Sequence, residues 1–218
     1  MKPGTNKNLK TMRTQKNIYL TLLITLFLGV GITLAQSNDS SHYSILADSS
    51  SFTVNGNSTL HHWSAKAGPV DGYFVLPDAI WSNSSSSDVS FSEGQVDVKS
   101  KSIDSGEGGM NKKIYGAIDV KKYPDIQYSL ENAKVTSERD SSGIALLQLQ
   151  TSGKLTIHGV TNEVTIPVKA AVSGSKIVFT GAKDLKMTDF KINPPTALFG
   201  TIKADDAITV LLHVVVTK

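Results

Sequence analysis

Five histidines, His42, His61, His62, His158 and His213, are the side chains best suited by type to ligate a metal or move a proton near neutral pH. Their spacing argues against both. His61 and His62 are adjacent, so on a strand they project to opposite faces and do not readily share one ion. No HExxH or equivalent pattern puts two imidazoles on one face of a helix. No GxSxG elbow presents a serine nucleophile, and the many serines fall mostly in loop-like stretches. Cysteine is absent, which removes thiolate ligands, cysteine nucleophiles, disulfides and a lipid-modified N-terminal cysteine together. Asp205 and Asp206 read as solvated turn residues ahead of the last strand. The expectation is a protein that binds rather than catalyses, with no metal and no resident cofactor.

Residues 1–35 stand apart from the rest. They hold Lys2, Lys7, Lys10, Arg13 and Lys16, no acidic residue, and then the apolar run IYLTLLITLFLGVGITLA from Ile18 to Ala35. A basic head, an apolar middle and a small residue at the end have the form of a secretory signal peptide, with cleavage expected after Ala35. The run is long enough to be kept as a membrane anchor instead, but Gly29 and Gly31 weaken a spanning helix and the polar QSNDSSH follows at once. Without the leader the 22 Lys+Arg fall to 17 against 19 Asp+Glu, so a net charge of +3 becomes −2. A chain of that charge has no general attraction for a phosphate backbone, which argues against nucleic acid as a partner. Residues 36–218 are expected to form one periplasmic or secreted domain, held by its own core because no disulfide contributes.

Alternation with a period of two recurs through those residues, and sustained helical periodicity does not. In IQYSLENAKV, Ile126, Tyr128 and Leu130 alternate with Gln127, Ser129 and Glu131, as a strand with one dry face requires. Ala145, Leu147, Leu149, Leu155 and Ile157 form the apolar side of the next strand. After the turn at His158 the parity switches to Val164, Ile166, Val168, Ala170 and Val172. Further strands are predicted over 43–56, 62–76, 89–98, 176–190 and 207–216, with Gly68, Pro69, Gly72 and Gly181 marking bulges or coils. Met110, Ile114, Ala117 and Ile118 instead share a helical stripe, predicting one short helix near residues 110–119 that caps a barrel end or merely connects. The pattern is all-β. About eight long antiparallel strands leave a two-sheet sandwich or a closed up-and-down barrel, and such a barrel is either filled by side chains or just wide enough for one elongated apolar ligand.

GKLTIHGVTNEVTIPV, Gly153 to Val168, closely resembles the signature hairpin of the YceI-like family. STLHHWSAKAGPVDGYF (58–74) resembles the family's early strand pair, GGMNKKIYGAIDVKKYPDIQYSL (108–130) its helix and following strand, and MTDFKINPPTALFGTIKADDAITV (187–210) the C-terminal segment of one branch. The resemblance covers roughly residues 42–216. It implies an exported, lipocalin-like closed antiparallel barrel whose hydrophobic channel holds a polyisoprenoid, such as the tail of a quinone or an isoprenyl lipid. Composition does not name that ligand, but a dry aliphatic tube suits it, each buried methylene contributing about 0.8 kcal/mol. The second histidine at His61 and the NPPTALFG stretch depart from many relatives, so head-group recognition is where this chain should differ.

On that reading the ligand-binding residues are His62, Trp63 and Phe74 in the early strands, Met110 and Ile114 in the helix, and Met187 and Phe199 in the C-terminal segment. The inward faces add Tyr128, Leu147, Leu149, Leu155, Ile157, Val164, Ile166 and Phe179. His158 has a plain reading, a rim histidine bonding a turn carbonyl, and a sharper one, a hydrogen bond to a quinone carbonyl or phosphate at the barrel mouth. Lys112–Lys113 and Lys121–Lys122 read first as solvated surface, and otherwise as attraction to a pyrophosphate or transient contact with an anionic membrane face. The expected function is a carrier or sequestering protein that buries a polyisoprenoid without chemistry. The alternative is an envelope-stress or surface protein whose barrel is filled by its own side chains. A dimer is compatible with either.

Overall fold

The computed structural model describes Met1 and residues 40–78, 90–139, 145–173 and 175–218. The stretch expected to be a leader, with its expected cleavage point, and the polar turns expected at 83–87 and 140–143 lie outside those residues. Twelve strands are described: β1 (Ser40–Ile45), β2 (Ser51–Ser58), β3 (His62–Ala67), β4 (Val70–Pro77), β5 (Ser90–Phe91), β6 (Glu93–Lys99), β7 (Asp125–Arg139), β8 (Ala145–Ile157), β9 (Val160–Ser173), β10 (Lys176–Lys186), β11 (Thr196–Ala197) and β12 (Ile202–Thr217). The one α-helix among the described residues, α1 (Gly108–Ile118), stands between β6 and β7.

Eight strands close a ring. β1, β4, β6, β7, β8, β9, β10 and β12 pair in that order, and β12 returns to β1 through Ser44 with Thr217 and Ile45 with Val216. Closure ties up strand edges and turns the dry face of each strand toward one enclosed space. β2 and β3 extend the wall at one end, β2 pairing with β12 as far as Ser58 with Ala204 and β3 pairing with β2. The strand directions put the β2–β3 turn, α1, the β8–β9 turn and residues 187–201 all at that same end.

Closure also explains where the predicted strands were too long. The segment 43–56 is broken by a 3-10 turn at Ala47–Ser49, and 62–76 is broken between Ala67 and Val70. These breaks let β1 and β4 pair with each other in the ring while β2 and β3 pair in the extension. β10 stops at Lys186, and Met187–Phe190 turn as a 3-10 helix. β12 begins at Ile202, so Asp205 and Asp206 lie in an irregular part of that strand and not in a turn before it. The β8–β9 hairpin turns on His158 and Gly159, with φ of 52° and 71°, the left-handed pair that matches the twist of the flanking strands. A Cβ on Gly159 would collide with the Tyr123 ring, so glycine also answers a need for room.

At the opposite end the barrel is solid. Tyr43, Leu76, Leu147, Ala170, Ile177 and Val216 are buried in the hydrophobic core there, Leu76 and Val216 completely. We expect Leu76→Ala to lower the unfolding free energy by about 2–5 kcal/mol. Chemical denaturation checks this, and a loss below about 1 kcal/mol would mean that the floor is not packed.

Candidate ligand-binding cavity

Above that floor the barrel is hollow. A cavity of about 540 Å³ opens toward the α1 end, within the roughly 300–1,000 Å³ of small-molecule sites. Its wall along β8 runs from Leu149 to Ile157; that stretch, at about 3.3 Å per residue and a tilt near 40°, gives a depth of about 20 Å. The lining is aliphatic and aromatic, with Val96, Val98, Ile126, Leu130, Ile208 and Leu212 among its members.

Two sequence devices keep it open. Ala65, Ala67 and Ala204 are buried on the inner wall, where larger side chains would meet across the lumen. The large rings on that wall lie over glycines of neighbouring strands: a Cβ on Gly56 would collide with the Trp63 indole, one on Gly94 with the Phe74 ring, and one on Gly153 would come within 2.8 Å of Tyr128. Each glycine gives its ring a seat against the sheet, so the ring lines the space without filling it. Trp63 is fixed further by Nε1–H donating to the Asn57 carbonyl at 3.1 Å.

The helix supplies part of the lid, with Met110, Lys113, Ile114, Ala117 and Ile118 on the cavity. It is tied to β3 through the preceding loop. Lys66 and Asp104 exchange two backbone hydrogen bonds of 2.8 Å, and Asn111 Nδ2 donates to Asp104 Oδ1 at 2.7 Å. Hydrogen bonds from Asn111 and the Gly106 N–H hold the Asp104 carboxyl below its ordinary range. The 3-10 turn at 187–190, which brings Met187 and Phe190 to the cavity, is fastened from three sides. His158 Nδ1–H donates to the Phe190 carbonyl at 3.2 Å, Asn162 Nδ2 to the Asp189 carbonyl at 2.8 Å, and Thr188 N–H and Oγ1–H to the Asp206 carboxylate at 2.9 and 2.7 Å. His158 is thus a rim histidine bonded to a turn carbonyl, with Tyr123 edge-on to its ring.

Few polar atoms face the lumen. Burial pushes the Tyr128 phenol up, against the hydroxyl of nearby Thr151. Thr151 Oγ1–H donates instead to the Ile166 carbonyl at 2.9 Å, and Tyr128 Oη is left buried without a hydrogen-bond partner among the described residues. Lys183 is the other exception. It pairs in register with Val210, sits between Phe179 and Leu185 on the inward row of β10, and lines the cavity. It makes no hydrogen bond or ion pair with another described residue. Ser58, Leu60, His61, Glu107, Lys113, Pro195, Thr196 and Ile202 frame the mouth, and Lys113 Nζ–H donates to the Thr196 carbonyl at 2.6 Å.

Of the residues expected to touch a ligand, Trp63, Phe74, Met110, Ile114, Tyr128, Leu149, Leu155, Ile157, Ile166, Phe179 and Met187 stand on the cavity wall. Four do not. His62 faces outward with its Nδ1 paired to Asn57 Oδ1, since Trp63 takes the inward position beside it. Leu147 belongs to the floor. Val164 is buried but off the wall, opposite the Gly153 position over which Tyr128 lies. Phe199 projects into solvent. Sequence reasoning missed Lys183, although a lysine interrupting the row Ile177, Phe179, Gly181, Leu185 is a legible signal, and it missed the alanines and ring-seating glycines.

A closed antiparallel barrel with an apolar cavity, floored by packed side chains and lidded by a helix, is a hollow, lipocalin-like barrel. Residues 39–216 match the model of the YceI-like domain, and the chain belongs to that family. UPF0312 proteins from two strains of Pseudomonas putida are 31% identical to it over 121 residues, which is 52% of this chain and 59% of each relative. The chain thus spans about three fifths of the curated relatives it matches. A polyisoprenoid binding domain from Saccharophagus degradans, implicated in plant cell wall breakdown, superposes with a TM-score of 0.58 at 12% identity, covering 80% of this chain and 97% of that one. BcnA of Burkholderia cenocepacia superposes with a TM-score of 0.57 at 18% identity, covering 78% and 98%. Both share the fold.

Gly56→Val should unseat the Trp63 indole and drive it into the lumen, changing tryptophan emission and lowering stability by about 1–3 kcal/mol. Unaltered emission together with unaltered stability would show that the ring does not depend on its glycine.

Proposed function

We propose that this protein binds a polyisoprenoid, holds its tail in the barrel, and carries or sequesters it without altering it covalently. The observation that carries this reading is the apolar cavity of about 540 Å³ inside the barrel. Membership in the YceI-like family supports it, and so does the polyisoprenoid binding domain among the fold's neighbours. Each methylene-sized group moved from water into such a tube contributes about 0.8 kcal/mol, so a chain of several isoprene units gains affinity without any directional contact. The leader supports export to the periplasm or beyond. The rival reading, a barrel filled by its own side chains, fits the floor but not the hollow above it.

The polar end of the guest is best met near the mouth. Among charged residues on the cavity wall, Lys113, Lys183 and Lys186 face a single acid, Glu107. That balance favours a phosphate-bearing head over a neutral quinone, because an ammonium gains most from an anionic acceptor.

Native mass spectrometry of protein prepared without detergent should find a prenyl lipid bound or accept an added one such as geranylgeraniol. A barrel that stays empty under both conditions contradicts the proposal. Ala65→Phe and Ala204→Phe, which fill the lumen, should weaken geranylgeraniol at least about tenfold while the fold stays intact; full affinity in both variants would put the guest elsewhere. Lys183→Met should weaken geranylgeranyl phosphate by about tenfold and leave geranylgeraniol unchanged. Equal losses for the two would make Lys183 a structural residue.

A further inference from the structure

We propose that the barrel mouth docks on an anionic lipid bilayer, with Leu60, Leu198 and Phe199 inserted among the headgroups. Leu60 and Leu198 are 67% and 68% exposed and Phe199 is fully so. The other large apolar side chains exposed among the described residues are Met1 and, on the outer wall of β12, Leu211. The three tips belong to one rim. Thr59 N–H donates to the Lys203 carbonyl at 3.0 Å, and Lys203 N–H donates to Thr59 Oγ1 at 3.2 Å. Those bonds clamp the β2–β3 turn that bears Leu60 to the strand following Leu198–Gly200.

Backbone geometry sharpens the point. Leu198 and Phe199 are consecutive and both left-handed, at φ of 47° and 55°, a conformation costly for any residue that carries a side chain. In the free protein that cost secures no packing, because both side chains end in water. On a membrane the same geometry presents two apolar groups side by side to the acyl boundary, where exposure becomes burial.

Charge selects the partner. Lys113 and Lys186 line the opening and Lys112 and Lys203 are exposed nearby. Glu107 is the acid on the cavity lining; Asp189 and Asp205 are also exposed at this end, against Lys191, and Asp206 is engaged by Thr188. Lysines around apolar tips are the arrangement that anionic headgroups attract. A second copy meeting this face about a two-fold axis would set the same lysines against each other. A bilayer seated here also lies against the cavity entrance, so a lipid tail passes from membrane to tube without crossing water. The docking does not require that reading of the cavity and can be tested apart from it.

Cosedimentation of the detergent-free protein with vesicles containing phosphatidylglycerol, against vesicles of phosphatidylcholine alone, tests the surface. Wild type should bind the anionic vesicles at low ionic strength and weaken severalfold in high salt. Combined Leu60→Ser, Leu198→Ser and Phe199→Ser should lose at least about tenfold in vesicle affinity with circular dichroism unchanged, and the Leu198→Ser, Phe199→Ser pair alone, which does not line the cavity, should leave geranylgeraniol binding in solution unchanged. Phe199→Trp alone should add blue-shifted emission when anionic vesicles are present. Failure of wild type to bind anionic vesicles, undiminished binding by the triple variant, or an unshifted emission from the indole introduced by Phe199→Trp would overturn the proposal. So would a concentration-dependent dimer abolished by the triple variant, which would give the patch to a second copy.

Discussion

Two residue pairs, Ser44 with Thr217 and Ile45 with Val216, join the first strand to the last and shut the sheet. Everything inside depends on that seam. An open sheet with these inward faces would expose a broad apolar surface and would need a second layer to cover it. Shut at eight strands, the same faces converge on a space whose width is set by strand number and tilt. Side-chain size then decides what happens at each height. Leu76, Leu147, Ile177 and Val216 meet across the axis and make a floor. Ala65, Ala67 and Ala204 do not reach, and the rings of Trp63, Phe74 and Tyr128 are held to the wall.

A dry hollow is a standing cost to a fold. Its lining atoms forgo dispersion contacts they would have in a filled core, and the penalty grows with the volume left empty. A long apolar guest restores those contacts and leaves water at the same time, so stability and binding become linked in one interaction. The polar features are few and sited accordingly. Tyr128 Oη is a donor with no partner among the described residues, and Lys183 carries charge on an otherwise apolar row. An unsatisfied group in such a place calls for an explanation, and a guest with a polar end provides one.

The two-residue period was enough to read an all-β fold and the inward faces of β7, β8 and β9, and its local replacement by a helical stripe marked α1. It could not supply height along the barrel, and this separates Leu147, in the floor, from Leu149 two residues on, at the cavity. Nor does it say which of two adjacent residues faces in. His62 and Trp63 cannot both do so, and Gly56 seats the indole. Phe199 was apolar in sequence but is thrown outward by a left-handed turn, a backbone state with no marker in a leucine–phenylalanine pair. The broken strands at 47–49 and 68–69 answer to closure, a long-range demand that local pattern does not carry. Alanine and glycine were the quietest letters in the inward rows, and they are the ones that make room.

Electron density inside the barrel, in crystals of protein purified and grown without detergent or added lipid, decides whether the hollow holds a guest. A ligand-enclosing barrel should show an elongated tube of density along the wall from Phe179 past Tyr128 to Trp63, or an open lumen that acquires such density after soaking with a prenyl lipid. Density showing the side chains of Trp63, Phe74 and Tyr128 meeting across the axis, with no continuous space above the floor, would contradict it.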